Sequence, residues 1–152
     1  MVLFTHQKER EEIKMAEFKV IVDGGMIPIR GTEKSAGYDL YANEDVVIPA
    51  HGHALVKTGI TIEMEDNEYL AIVPRSGLAL KQGITVLNTP GTVDADYYPN
   101  EIGVILYNTN DLDFEVSTGD RIAQGILQEY KCTQTDRVAN SSRVSGFGST
   151  GK

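Results

Sequence analysis

The chain has 152 residues, 41% of them hydrophobic and 24% charged, which is enough apolar material for one core and excludes wholesale disorder. Its 22 acidic against 14 basic side chains give a formal charge of −8, which argues against a nucleic acid polymer and leaves a small anion as a partner only where a few cations gather. The single cysteine, Cys132, excludes an internal disulfide or a cysteine metal cluster, and no apolar run reaches the roughly 18 residues of a bilayer span, so the chain reads as intracellular, soluble and without a membrane partner.

Residues 1–17 read as a charged N-terminal extension, because 7–17 are dense in charge and nearly free of apolar spacing. Met15 opens Met-Ala-Glu-Phe, so what precedes it could be an upstream extension of a shorter product. From Phe18 the pattern turns to short β-type runs broken by Gly, Pro, Asn and Asp. Strands are expected at 18–22, 45–48, 54–64, 69–73, 101–108, 112–116 and 121–128, several with period-two alternation. One short helix is expected at 76–82, after Pro74. Such a run of strands and turns implies an all-β sandwich, jelly roll or barrel over residues 18–139. Residues 140–152, rich in Gly, Ser and Thr, read as a flexible tail or a lid over a ligand.

Four segments could carry chemistry. Asp94 and Asp96 lie in a turn bracketed by Gly and Pro, where a carboxylate could activate water or simply hold the turn. In Pro74-Arg75-Ser76-Gly77 a guanidinium, a hydroxyl and a glycine amide meet at a helix start, as an anion cradle or as a plain Ser76 cap. Asp39, between apolar neighbours, is either a buried acceptor or an outer-shell metal residue. His51 and His53 flank Gly52 in a turn and read as surface residues. The tail Gly146-Phe147-Gly148-Ser149-Thr150-Gly151-Lys152 imitates the start of a Walker loop, but the Ser or Thr and the helix that should follow are missing. Its amides could still wrap phosphate oxygens, with charge from Arg143, and an aromatic such as Phe147 has nothing to bury against there unless a ligand or another subunit supplies it.

The order of the segments is more telling than any one of them. Ala36-Gly37-Tyr38-Asp39-Leu40-Tyr41-Ala42, Pro74-Arg75-Ser76-Gly77-Leu78-Ala79, Gly91-Thr92-Val93-Asp94-Ala95-Asp96-Tyr97, Gly119-Asp120-Arg121-Ile122-Ala123-Gln124 and the stretch 143–151 resemble the five ordered motifs of the trimeric dUTPases. The resemblance implies a jelly-roll β-barrel with one short helix and a flexible C-terminal arm. It further implies a homotrimer with active sites shared between subunits, and hydrolysis of dUTP to dUMP and pyrophosphate with Mg²⁺, which limits uracil in DNA and supplies dUMP for thymidylate synthesis.

By motif match, Asp94 is the base that deprotonates the attacking water, and Asp39 reaches the metal through water. Arg75, Ser76 and Gly77 hold the phosphates across the interface, and Gln124 lies near the α-phosphate. Tyr97 packs beneath the deoxyribose and excludes a 2′-hydroxyl. Asn88, with the backbone of a hairpin through Gly103, forms the uracil slot, and Thr92 and Val93 are further substrate-binding residues. Phe147 stacks on the base, and Arg143 with the amides around Gly148, Ser149 and Thr150 closes over the β- and γ-phosphates as a lid from another subunit. Two features depart from the family pattern: the turn from Tyr98 to Ile102 is one residue longer, and Val144 stiffens the approach to Phe147. The nearest rival, dCTP deaminase, needs a glutamate where Ile105 stands; the other rival is a nucleotide-sensing binding protein.

Overall fold

The computed structural model describes residues 14–139, 143, 146 and 147. The greater part of the expected N-terminal extension, and the lid positions Gly148, Ser149 and Thr150, lie outside the described residues. The strands are β1 (Glu17–Val20), β2 (Ile29–Arg30), β3 (Tyr38–Tyr41), β4 (Val46–Ile48), β5 (His53–Lys57), β6 (Ile60–Glu63) and β7 (Glu68–Val73). Helix α1 (Ser76–Gln82) follows, then β8 (Ile84–Val86), β9 (Gly91–Asp94), a 3-10 turn at Ala95–Tyr97, β10 (Gly103–Asn108), β11 (Phe114–Val116) and β12 (Arg121–Glu129).

Alternation explains which face each strand buries. In β10, Val104, Leu106 and Asn108 point inward while Gly103, Ile105 and Tyr107 stay half-exposed. Asn108 is fully buried and satisfied: its amide donates to Ile48 O and Leu112 O, and its carbonyl accepts from Asn110 N. The run expected as one strand at 54–64 breaks into β5 and β6, because Gly59 takes φ = 73°, a left-handed conformation that ends a ladder. The helix matches its expected bounds.

Pairing is antiparallel throughout, and β3, β4 and β5 meet β12, β11 and β10 in turn. That nesting is a long antiparallel hairpin rolled on itself, the winding of a jelly roll. The ladders form four sheets: β1-β6, β5-β10-β8, β11-β4 and β2-β3-β12-β7-β9. They enclose one apolar cluster in which Leu40, Ile48, Val56, Leu70, Ile84 and Leu106 are all fully or nearly fully buried. The expected hairpin through Gly103 is not a ladder, since β9 pairs with β7 and β10 pairs with β5 and β8. Strands β9 and β10 therefore belong to different sheets, and a cavity opens where they diverge. No helix among the described residues is long and apolar enough to cross a membrane.

Candidate active site

A cavity of ≈ 160 Å³ lies between these two sheets. Val86 and Asn88 floor one side, Gly91, Thr92 and Val93 of β9 another, and Ile102 to Ile105 a third; Tyr97, Arg143, Gly146 and Phe147 close the mouth. Period-two geometry sorts β9: Val93 turns into the core, while Thr92 is exposed and its hydroxyl donates to Pro90 O at 3.3 Å.

Tyr97 is fixed at its tip, where its phenol donates to Glu101 O at 2.6 Å. Burial, reinforced by the Glu101 carboxylate and opposed by Arg143, pushes the phenol above its usual value, so it remains a neutral donor. The Phe147 ring meets the Tyr97 ring edge-on, with centroids 6.4 Å apart and planes at 85°. A Cβ placed on Gly103 would stand 2.7 Å from Leu55 Cδ1, so glycine at 103 leaves room for that side chain; the same Cβ would be at ordinary contact distance, 3.5 Å, from the Phe147 ring. Phe147 is nonetheless 62% exposed, one face still open.

Asp94 ends β9 opposite Tyr69 of β7. Its Oδ2 accepts from Arg143 Nη2 at 2.5 Å. Arg143 Nε stands 2.8 Å from Asp96 Oδ1, near enough for charge attraction, yet its N–H is not aimed at that oxygen and has no hydrogen-bond partner among the described residues. Asp94 precedes the 3-10 turn without a side-chain cap bond, and Asp96 lies in its first turn. Arg143, expected to close over phosphates, is instead drawn to two carboxylates two positions apart, where their fields add. It and Phe147 also lie on the pocket of their own chain, where the family resemblance implies a neighbour's tail. The segment from Glu129 to Arg143 could extend on the order of 45 Å, which would serve either arrangement.

A second group forms where β3, β12 and the start of α1 meet. Gln124 pairs in register with Asp39 and with Val73, and its amide donates to Pro74 O at 3.0 Å. Asp39 is flanked by two guanidiniums, with Arg75 Nε at 3.4 Å and Arg121 Nη1 at 3.9 Å. Arg75 caps α1 through its backbone, Ser76 is the first helical residue, and no side chain makes a cap bond. Ser76 and Gly77 are exposed, and nothing stands within 4 Å of where a Gly77 side chain would begin. Arg75 and Arg121 line a separate depression of ≈ 510 Å³. The expected residues thus gather in two places: Asn88, Thr92, Val93, Tyr97, Gly103, Arg143 and Phe147 with Asp94 beside them, and Asp39, Arg75 and Gln124 with Ser76 and Gly77.

No group of three or more His, Cys, Asp or Glu side chains among the described residues is arranged to hold a metal. Asp39, one carboxylate between two guanidiniums, fits a Mg²⁺ that arrives on phosphates and is reached through water, since that ion keeps its waters and needs only one or two carboxylates. His51 is exposed and sits 2.6 Å from Asp111, and Cys132 is exposed.

Sequence reasoning gave Gly37 no role of its own, and the structure gives it one. A Cβ there would stand 2.1 Å from Gln124 Oε1 and 3.1 Å from Gln124 Cβ. Gly37→Ala should therefore push Gln124 off the Pro74 carbonyl, lowering kcat/KM about tenfold while shifting the melting temperature by no more than about 3 °C. Parallel steady-state kinetics and thermal unfolding check this, and an unchanged kcat/KM would remove Gln124 from the machinery.

Comparison with known proteins converges on one family. The dUTPase family model matches residues 23–151. A deoxyuridine 5'-triphosphate nucleotidohydrolase of Helicobacter pylori is 50% identical over 132 residues, covering 83% of this chain and 89% of that protein. The crystal structure of a Streptococcus mutans dUTPase superposes with a TM-score of 0.73 at 30% identity, covering 80% of this chain and 99% of the other. A mutant dUTPase of Staphylococcus aureus phage phi11, described with a structural Mg(II) ion, shares the fold at a TM-score of 0.73 and 19% identity, covering 84% and 99%.

Proposed function

Since the chain belongs to the dUTPase family, we propose that it hydrolyses dUTP to dUMP and pyrophosphate, with uracil and deoxyribose held in the cavity between β9 and β10. The observation that carries this reading is the convergence of Asn88, Tyr97, Gly103 and Phe147 on one small cavity with Asp94 beside it. Asn88 and the backbone up to Gly103 supply donors and acceptors for the uracil edge, and a cytosine would leave them unpaired at a cost of about 1–3 kcal/mol for each buried group. Tyr97, pinned by its own phenol, is a wall against a 2′-hydroxyl.

Asp94 accepts the proton of a water as that water's oxygen bonds to the α-phosphorus and the bond to the bridging oxygen of the leaving pyrophosphate breaks. Arg143 must leave the carboxylate for this to happen. A triphosphate offers it several charged oxygens, so the guanidinium can exchange one anion for another without being left unpaired. Arg75, with the Ser76 hydroxyl and the Gly77 amide, holds phosphate oxygens, and Gln124 orients the α-phosphate. Bound Mg²⁺, held through water by Asp39, would neutralise charge on the pyrophosphate.

Asn88, Tyr97, Gly103 and Phe147 line one cavity of the chain, and Arg75 lines another. A homotrimer that apposes one subunit's Arg75 group to a neighbour's Asp94 would complete the site, and the tail could come from either subunit. The deaminase alternative has no support in the cavity wall, where Ile105 presents no acid to shuttle a proton. With Mg²⁺, pyrophosphate release from dUTP should exceed release from dCTP, dTTP and UTP by at least about 100-fold in kcat/KM. Equal release from dUTP and dCTP, or ammonia from dCTP, would overturn the assignment.

A further inference from the structure

Tyr97 leads into the turn from Tyr98 to Ile102, a loop that must lose its freedom if the ring is to hold one position. The turn is closed from within by Asn100, whose backbone and side-chain N–H groups both donate to Tyr97 O, at 2.9 and 2.8 Å. Its far end is tied down where Glu101 Oε2 accepts from Gly59 N at 2.8 Å. Its near end is tied by a residue outside all five motifs. Lys19 Nζ, reaching from β1, donates to the Tyr98 phenol oxygen at 3.1 Å and to Glu63 Oε1 at 3.0 Å. Residues 19 and 98 are 79 positions apart, so this tie joins the N-terminal strand directly to the residue beside the sugar wall.

We propose that Lys19 is a positioning residue for sugar selection: held by Glu63, it anchors Tyr98 and so sets where the adjoining Tyr97 ring stands against the sugar. This rests on the dUTP-hydrolysing reading. The tie keeps its charge at any pH of interest, because the hydrogen bonds that Lys19 donates to Tyr98 and Glu63 hold its amine above the ordinary lysine value. It is also separable from folding. Lys14 Nζ stands 3.0 Å from the same Glu63 oxygen, so removing the Lys19 charge does not leave that carboxylate alone. A ring freed to move by about 1 Å no longer excludes one extra hydroxyl, while the reacting phosphates are held elsewhere.

The test compares Lys19→Met, Lys19→Arg, Tyr98→Phe and the Met/Phe double variant, as full-length protein with Mg²⁺, on dUTP and UTP. Lys19→Met should keep kcat for dUTP within about twofold, raise its KM several-fold, and lower the dUTP-to-UTP ratio of kcat/KM about tenfold. Lys19→Arg should restore most of the ratio, because it keeps a charged donor. Tyr98→Phe should reproduce the loss, and the double variant should be no worse than either single, as for two ends of one contact. A ratio within about twofold of wild type in both single variants, with only the melting temperature lowered, would make Lys19 merely structural and overturn the proposal. Wild-type protein that releases no pyrophosphate from dUTP would instead sink the functional reading, and this proposal with it.

Discussion

Asp94→Asn is expected to reduce turnover of dUTP by about 10³- to 10⁴-fold while nucleotide binding persists, because the amide fills the same space but cannot take the water's proton. The structure separates this loss from unfolding. The Asp94 side chain is 45% exposed, so water screens its carboxylate even though the Arg143 side chain it meets is only 18% exposed. An asparagine oxygen can still accept from that guanidinium. Single-turnover pyrophosphate release and calorimetric binding of a non-hydrolysable dUTP analogue would test the two halves together. A rate within tenfold of wild type removes Asp94 as the base; lost binding with lost rate makes it a binding residue. Mixing this variant with Arg75→Ala should recover part of the wild-type rate if the two residues act from different subunits, since some mixed assemblies then hold one intact site.

The fold was legible where alternation and punctuation coincide. Helix α1 was read with its bounds, because Pro74 precedes it and Gly83, in the left-handed region at φ = 66°, ends it. Strands β7, β10 and β12 carry long enough apolar alternation to be seen. The strands β2, β3, β8 and β9 were not: two to four residues long, and in β3 and β9 carrying Gly, Asp or Thr, they are strands because neighbours such as β7 and β12 pair with them. The site followed the same division. Asp94, Tyr97 and Phe147 were legible as candidates through motif order; the structure adds that Tyr97 and Phe147 line one cavity and that Asp94 ends β9. The Arg143 grip on Asp94, 49 positions away, and the Lys19 tie to Tyr98 were not, since no local pattern encodes a contact between distant polar side chains.

Ending the chain at Ala139 is expected to lower kcat/KM for dUTP by about 10²- to 10⁴-fold and to leave the melting temperature within about 2 °C. The core explains the second half. The buried apolar cluster closes with Ala123, and Phe147 is too exposed to hold the fold together. The first half follows from what the removed residues do at the cavity. Losing Phe147 takes away the aromatic face available to the base, a stacking contribution of about 1–3 kcal/mol. Losing Arg143 takes away a charge-assisted hydrogen bond to phosphate of about 1.5–3 kcal/mol and leaves Asp94 and Asp96 without the cation between them. The two single changes, Phe147→Ala and Arg143→Ala, divide the effect. Phe147→Ala should act mainly on KM, because stacking holds ground state and transition state alike, whereas Arg143→Ala should act on kcat as well, because charge on the phosphates grows as the bond breaks. If the shortened protein kept the full rate, the tail would be a bystander, and the Arg143 contact with Asp94 would be an ion pair without catalytic meaning.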